Sequence, residues 1–299
     1  MHFSNTIKAR VIVGLLLSAL SVPTFAQSAN AQSFAADDAK RRVNIAGRQR
    51  MLSQRITKAA CFIESGFEVL PHTEMLNGAY ELFSISHDAL HFGSETVGLV
   101  EEYNRRVLAA LEDVDQTWQV FSPLVQDVQN GQFDNLSELD EASLKLLSAM
   151  DIAVGITARE YGEDFEDLPL ILTITIDLAG RQRMFTQKMA KEFCLIDAGI
   201  NVEENLAALA DTRNYFNGTL QALIVGFDGM VLPAPNAQIL AKLQEVQALW
   251  AGSDAILGRI IAGEPVSDSD RSVIFSEVEA VLVAMNQAVG MYETAEVNP

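Results

Sequence analysis

The stretch Gly47-Arg-Gln-Arg-Met-Leu-Ser-Gln-Arg55 recurs as Gly180-Arg-Gln-Arg-Met-Phe-Thr-Gln-Lys188. Arginine suits a planar oxyanion, because its rigid fork donates two parallel N–H bonds. Arg50 and Arg183 take the same place in the two stretches, so one chain carries a matched pair of guanidinium groups. No acid lies within 40–58 or 178–191, and these windows hold eleven basic residues. Nearby sequence therefore offers the pair no counter-charge. A carboxylate from elsewhere in the fold, or an anionic ligand, must supply it.

Other chemistry is thin. His87 and His91 stand at i, i+4 with Asp88 between them. Two histidines without a third ligand are a weak metal signal, so no metal site is assigned. The aligned residues of the second copy, Leu220 and Ile224, favour a bundle-facing role. The acidic runs 112–115 and 161–167 read as solvated faces. Trp118 and Trp250 recur at core spacing and read as packing. No phosphate loop, catalytic triad or metal-ligand cluster stands out. No enzyme activity and no cofactor are therefore expected.

The arginines belong to a repeat that organises the whole chain. With a shift of 133, residues 46–66 align with 179–199, and eleven of the 21 positions are identical. The register continues through Phe83 on Phe216 and Trp118 on Trp250, then "AMDIAVG" (149–155) on "AMNQAVG" (284–290). A period this long is a domain rather than a solenoid unit. Apolar periodicity and turn residues give four helices per copy: 36–65, 73–92, 95–128 and 136–162, then 170–198, 202–225, 235–262 and 268–296. Ser94 and Asp167 read as helix starts. The expected fold is all-α: two tandem four-helix up-down bundles, 34–165 and 167–297, related by a pseudo-two-fold axis.

A helical projection separates two stripes on the first helix of each copy. Ile45, Leu52, Ile56, Ala59 and Ile63 form an apolar stripe for the bundle's own core. Gly47, Arg50, Gln54, Thr57 and Cys61 lie opposite, and the second copy repeats them as Gly180, Arg183, Gln187, Ala190 and Cys194. Glycine, alanine and cysteine suit a helix–helix contact better than a solvated face. If the two first helices meet along the axis, Arg50 faces Arg183. An anion could sit between them, with Gln54 or Gln187 completing the cage. The competing reading is a structural pair answered by distant acids. Arg48 and Arg181 lie near the apolar stripe and read as snorkelling side chains. The only cysteines, Cys61 and Cys194, would face one another in a parallel arrangement. They read either as a disulfide, which an oxidising compartment permits, or as two small buried thiols.

Residues 1–26 read as a signal peptide: Lys8 and Arg10, an apolar run from Val11 to Leu20, and a Pro23-Thr-Phe-Ala26 cleavage motif. No later segment reads as long and apolar enough to span a membrane. The protein is therefore expected to be soluble and periplasmic or secreted. Removing residues 1–26 takes away two basic residues and no acid, so the net charge moves from −19 to −21. Such a chain repels nucleic acid and anionic membranes.

"VNIAGRQRMLSQR" (43–55) and "IDLAGRQRMFTQK" (176–188) resemble the signature helix of PilJ-type sensory domains, the N-terminal domains of type IV pili methyl-accepting chemotaxis transducers. They are also similar to the P-box, N-x-A-G-x-x-R-M-x-S, of nitrate/nitrite sensor kinases. The resemblance implies four-helix bundles. In its nitrate-binding members, one arginine from each of two subunits grips a single nitrate at the dimer interface. Those arginines fall on Arg50 and Arg183, and the glycines that let the helices approach fall on Gly47 and Gly180. Asn44 and Ser53 of the first copy become Asp177 and Thr186 in the second, and Asp177 could repel an anion or pair with Arg181. The chain ends at Pro299, soon after its last helix, so output is expected through a membrane chemoreceptor or sensor kinase. The resulting expectation is an exported sensory protein that binds a small oxyanion, nitrate or nitrite first. The alternative is a ligand-free cell-envelope adaptor of a chemotaxis or pilus system. Oligomeric state is left open.

Overall fold

The computed structural model describes residues 24–164 and 170–295. The signal-peptide residues up to Pro23, and Asp167 with Pro169, lie outside them. The described residues form eight helices: α1 Thr24–Glu64, α2 Val69–Phe92, α3 Arg105–Gln129, α4 Leu136–Asp164, α5 Leu170–Asp197, α6 Val202–Val225, α7 Ala237–Ile261 and α8 Asp268–Thr294. There are four in each copy. The β-branched segment that opens the second copy is helical, as the repeat requires.

Within the first copy α1 packs on α2 and α4, and α3 packs on α4. The second copy repeats this with α5 against α6 and α8, and α7 against α8. The copies meet along α1 and α5. Each of these helices buries two faces. In α1 the apolar stripe residues Ile45, Leu52, Ile56 and Ala59 are buried in the bundle core, and Gly47, Arg50, Gln54, Thr57 and Cys61 are buried as well, with Arg50 and Cys61 bonded to α5. Each fully buried leucine or isoleucine contributes roughly 1.5–3 kcal/mol, so the apolar face carries the stabilisation. The polar face requires exact pairing, since buried polar groups cost free energy unless bonded.

The repeat extends to turn chemistry. Gly66 and Gly199, with φ of 72° and 74°, end the first helix of each copy, and Glu68 and Asn201 follow, also at positive φ. A glycine tolerates the left-handed conformation that closes a helix. Asn104 caps α3 by accepting from the backbone N–H groups of Arg106 and Val107, and its equivalent Asn236 caps α7 through Ile239. Ser267 and Asp270 form a reciprocal capping box at the start of α8. Phe83 stacks on Trp118 at 4.1 Å, and Phe216 meets Trp250 at 4.6 Å.

Two expectations need correction. The third helix starts at Arg105, not at Ser94. Residues 93–104 instead fold into a turn in which the Ser94 carbonyl accepts from Gly98 and Leu99. Arg42 pins this segment: it donates to the carbonyls of Leu90 and Val100 and pairs with Asp38 and Glu102. The second correction concerns α8. By length and composition, Asp268–Tyr292 is apolar enough to cross a membrane. In the fold it is the fourth helix of the second bundle. Ile274, Val278, Val281, Met285, Ala288 and Val289 are buried in the core, and Glu279 answers cations on α1.

Candidate functional site

The α1–α5 contact runs parallel and in register. Its lower end is a disulfide between Cys61 and Cys194, with Cα atoms 6.2 Å apart and 133 residues of chain between them. Eleven residues earlier, about 16 Å along a helix, lie Arg50 and Arg183. A methyl group on Gly47 would stand 3.2 Å from Nη2 of Arg50 and 3.7 Å from Nη2 of Arg183. On Gly180 the distances are 3.3 Å to Arg183 and 3.6 Å to Arg50. The two guanidinium groups therefore lie side by side on the axis, in space that a side chain at either glycine would crowd. Both arginines are buried, Arg50 completely.

The two halves of this contact differ in charge. Nη1 of Arg50 donates to Asp151 on α4 at 2.8 Å, and Nη2 donates to Asp177 on α5 at 2.5 Å. Arg181 pairs with the same two acids, at 3.2 Å and 3.1 Å. Two cations and two carboxylates close into a neutral cluster. Burial works against the charge of Arg50, and the adjacent Asp177 and Asp151 more than offset it. Burial likewise works to raise Asp177, but Arg50 and Arg181 hold its carboxyl below the usual range.

The equivalent residues of the other half are Arg183, Arg48, Asn286 and Asn44. Nη1 of Arg183 donates to Asn286 Oδ1 and Nη2 to the Asn44 carbonyl, both at 3.3 Å. Arg48 donates to Ser86 Oγ at 2.8 Å. Two amides thus stand where the first half has two acids. Asn44, Arg48, Arg183 and Asn286 share a cleft of about 620 Å³, whose lining also includes Arg55, Met51, Met75 and Leu82. A smaller cleft of about 380 Å³, lined in part by Asp151, Arg181, Met184 and Lys188, takes the equivalent place on the neutral side. Each cleft lies between the first two helices of one copy and the fourth helix of the other.

Gln54 and Gln187 do not join the arginine pair. Gln54 donates to the Ser143 carbonyl within its own bundle, and Gln187 accepts from Arg55 across the axis. Two buried lysines complete the interface. Lys58 bonds Glu279 of α8 at 2.6 Å, and its equivalent Lys191 bonds Asp140 of α4 at 2.5 Å. Each lysine thus reaches an acid of the other copy's fourth helix. Burial pushes Lys58 down to about 8 against the pull of Glu279. Burial works to raise Glu279, and Lys58 with Arg55 hold it down at about 2. Asp177 stands four residues before Arg181, and the sequence had offered that pair; Asp151, Asp140 and Glu279 are distant in sequence from the cations they answer. The signal for two of them was in the repeat, where Asp151 aligns with Asn286 and Asp177 with Asn44.

The two copies thus form a parallel pair of helical bundles with buried arginines at their contact. The family model for the PilJ domain, described as the type IV pili methyl-accepting chemotaxis transducer N-terminal region, matches residues 32–142 and 174–272. The chain belongs to that family, and the two matched segments agree with two tandem copies. No curated protein and no solved structure matches the chain significantly.

Proposed function

We propose that this protein is a non-enzymatic, exported sensory module of the chemotaxis and type IV pilus kind, in which one half of the arginine pair receives a small oxyanion. The observation that carries the reading is the exchange of both acids for amides: Asp151 and Asp177 beside Arg50, but Asn286 and Asn44 beside Arg183. Amides do not repel an anion, and their N–H groups can donate to it. The Arg50 half is neutralised by the chain's own carboxylates. A nitrate gripped equally by both arginines would have to displace them. The ligand is therefore assigned to the Arg183 cleft, with Arg48 as a further cation; Glu74 and Glu279 also line the cleft, and Glu279 is taken by Arg55 and Lys58. Nitrate and nitrite remain the first candidates. Four heavy atoms at a ceiling of about 1.5 kcal/mol each limit nitrate to roughly tens of micromolar.

The disulfide supports export, because such bonds persist in oxidising compartments. It also limits the response. The helices are tied at Cys61–Cys194, so a ligand can shift only the arginine end of the pair, and only as far as it binds two states unequally. A membrane chemoreceptor or sensor kinase would read that shift. The competing reading is a ligand-free adaptor, which the neutral cluster at Arg50 favours. Titration calorimetry with nitrate, nitrite and acetate separates the two. Heat in the wild type that vanishes in Arg183→Gln supports the anion site. No heat with any of the three anions supports the adaptor.

A further inference from the structure

His87 and His91 lie one turn apart near the end of α2, and the structure brings Asp115 of α3 to both. Nε2 of His87 is 2.6 Å from one carboxylate oxygen of Asp115, and Nε2 of His91 is 3.5 Å from the other. The ligand atoms of the three residues all lie within 4.8 Å of one another. Tetrahedral zinc bonds of about 2.0–2.1 Å place ligand atoms roughly 3.3 Å apart, so modest side-chain rotations would close the set. Nε2 of His91 is buried and makes no hydrogen bond among the described residues. Asp115 is 40% exposed and gives an ion a path from solvent.

The repeat supplies an internal control for what the bundle needs here. Leu220, Ile224 and Gln247 stand at the equivalent positions of the second copy, where Leu220 is buried in the core. There α6 and α7 are joined by other polar bonds, from Arg213 and Asn217 to Asp254 and from Trp250 to Asn217. The bundle therefore does not need two imidazoles and a carboxylate at this level, and their convergence is particular to the first copy.

We propose that His87, His91 and Asp115 form a binding site for a divalent transition ion, zinc first, that clamps α2 to α3. Two nitrogens and one oxygen are a zinc-type donor set, with a fourth position left for water or an external ligand. The ion would fix the end of α2 beside the pinned turn at 93–104, far from the disulfide. The site stands independently of the anion reading.

The test uses tag-free, full-length protein treated with chelator, titrated with zinc chloride in about 0.15 M salt to screen the surface acids. One equivalent of zinc is expected in the wild type. It is expected to be lost in His87→Leu/His91→Ile, which installs the residues that the second copy already tolerates. Asp115→Asn should weaken binding at least tenfold. Cobalt(II) gives a second readout, since a tetrahedral site intensifies its visible absorption. Absence of zinc binding overturns the proposal, as does one equivalent retained in the double variant or an unchanged affinity in Asp115→Asn.

Discussion

At the scale of single residues, the interface works by matching charge to burial. Arg50 is fully buried, and it is tolerated there because Asp151 and Asp177 take its two Nη atoms. Removing one partner of a buried pair strands the others, at a cost of several kcal/mol. Arg50→Met should therefore lower unfolding free energy by about 3 kcal/mol in urea titration. Arg50→Met combined with Asp151→Asn, which leaves Arg181 paired with Asp177, should recover most of that loss. If the single and double variants are equally destabilised, the carboxylates are not what holds Arg50. The arginine pair was legible in the sequence, because a nine-residue stretch recurs with six positions identical. Its partners were not, because Asp151 reaches Arg50 across 101 residues and Asp177 across 127. The projection of a single helix carries no information about which acid a neighbouring helix presents. The partner of Asp115 was hidden for the same reason: its run reads as a solvated face, and only the packing of α3 on α2 sets its part-exposed carboxylate against His87.

At the scale of elements, two glycines inside helices leave room for the arginine pair between α1 and α5. Glycine costs a helix about 1 kcal/mol relative to alanine, so its presence there needs a packing reason. Gly155 of α4 provides the reference: it is exposed, and a methyl group added to it meets nothing within 4 Å. Gly155→Ala should stabilise the protein by about 0.5–1 kcal/mol. Gly47→Ala presses a methyl group against the guanidinium of Arg50, and Gly180→Ala against that of Arg183, groups that ion pairs and amides hold in place. Both substitutions should be at least about 1 kcal/mol worse than Gly155→Ala by thermal or urea unfolding. Equal gains at all three positions would mean that the arginines are not confined. Helix positions were legible because apolar periodicity and turn residues recur in both copies. The start of α3 was not, since Ser94 has the chemistry of a helix cap but is drawn into the turn that Arg42 pins. The membrane-like character of α8 was also missed, because its hydropathy is spread along a helix that carries Glu279 in its middle.

At the scale of the whole molecule, the chain is a dimer folded into one polypeptide. A disulfide closing 133 residues removes about 5 kcal/mol of denatured-state entropy in the loop-closure model. The cross-copy bonds of Lys58 with Glu279 and Lys191 with Asp140 add specificity of register. Duplication within one chain lets the halves diverge, which identical subunits of a dimer cannot do. The divergence here falls on the axis: two acids on one side, two amides on the other.

The most direct measurement converts the neutral half into a copy of the other. In Asp151→Asn/Asp177→Asn both arginines face amides, and anion stoichiometry is read by calorimetry with nitrate and nitrite. The dependence of the unfolding midpoint on anion concentration gives a second readout, and Asp177→Asn alone serves as the milder variant. One bound anion per wild-type chain and two per double-variant chain is the expected result, with the variant's midpoint rising more steeply with anion. A stoichiometry unchanged by the conversion, or no binding in either protein, would contradict the assignment of the ligand to the amide-lined half.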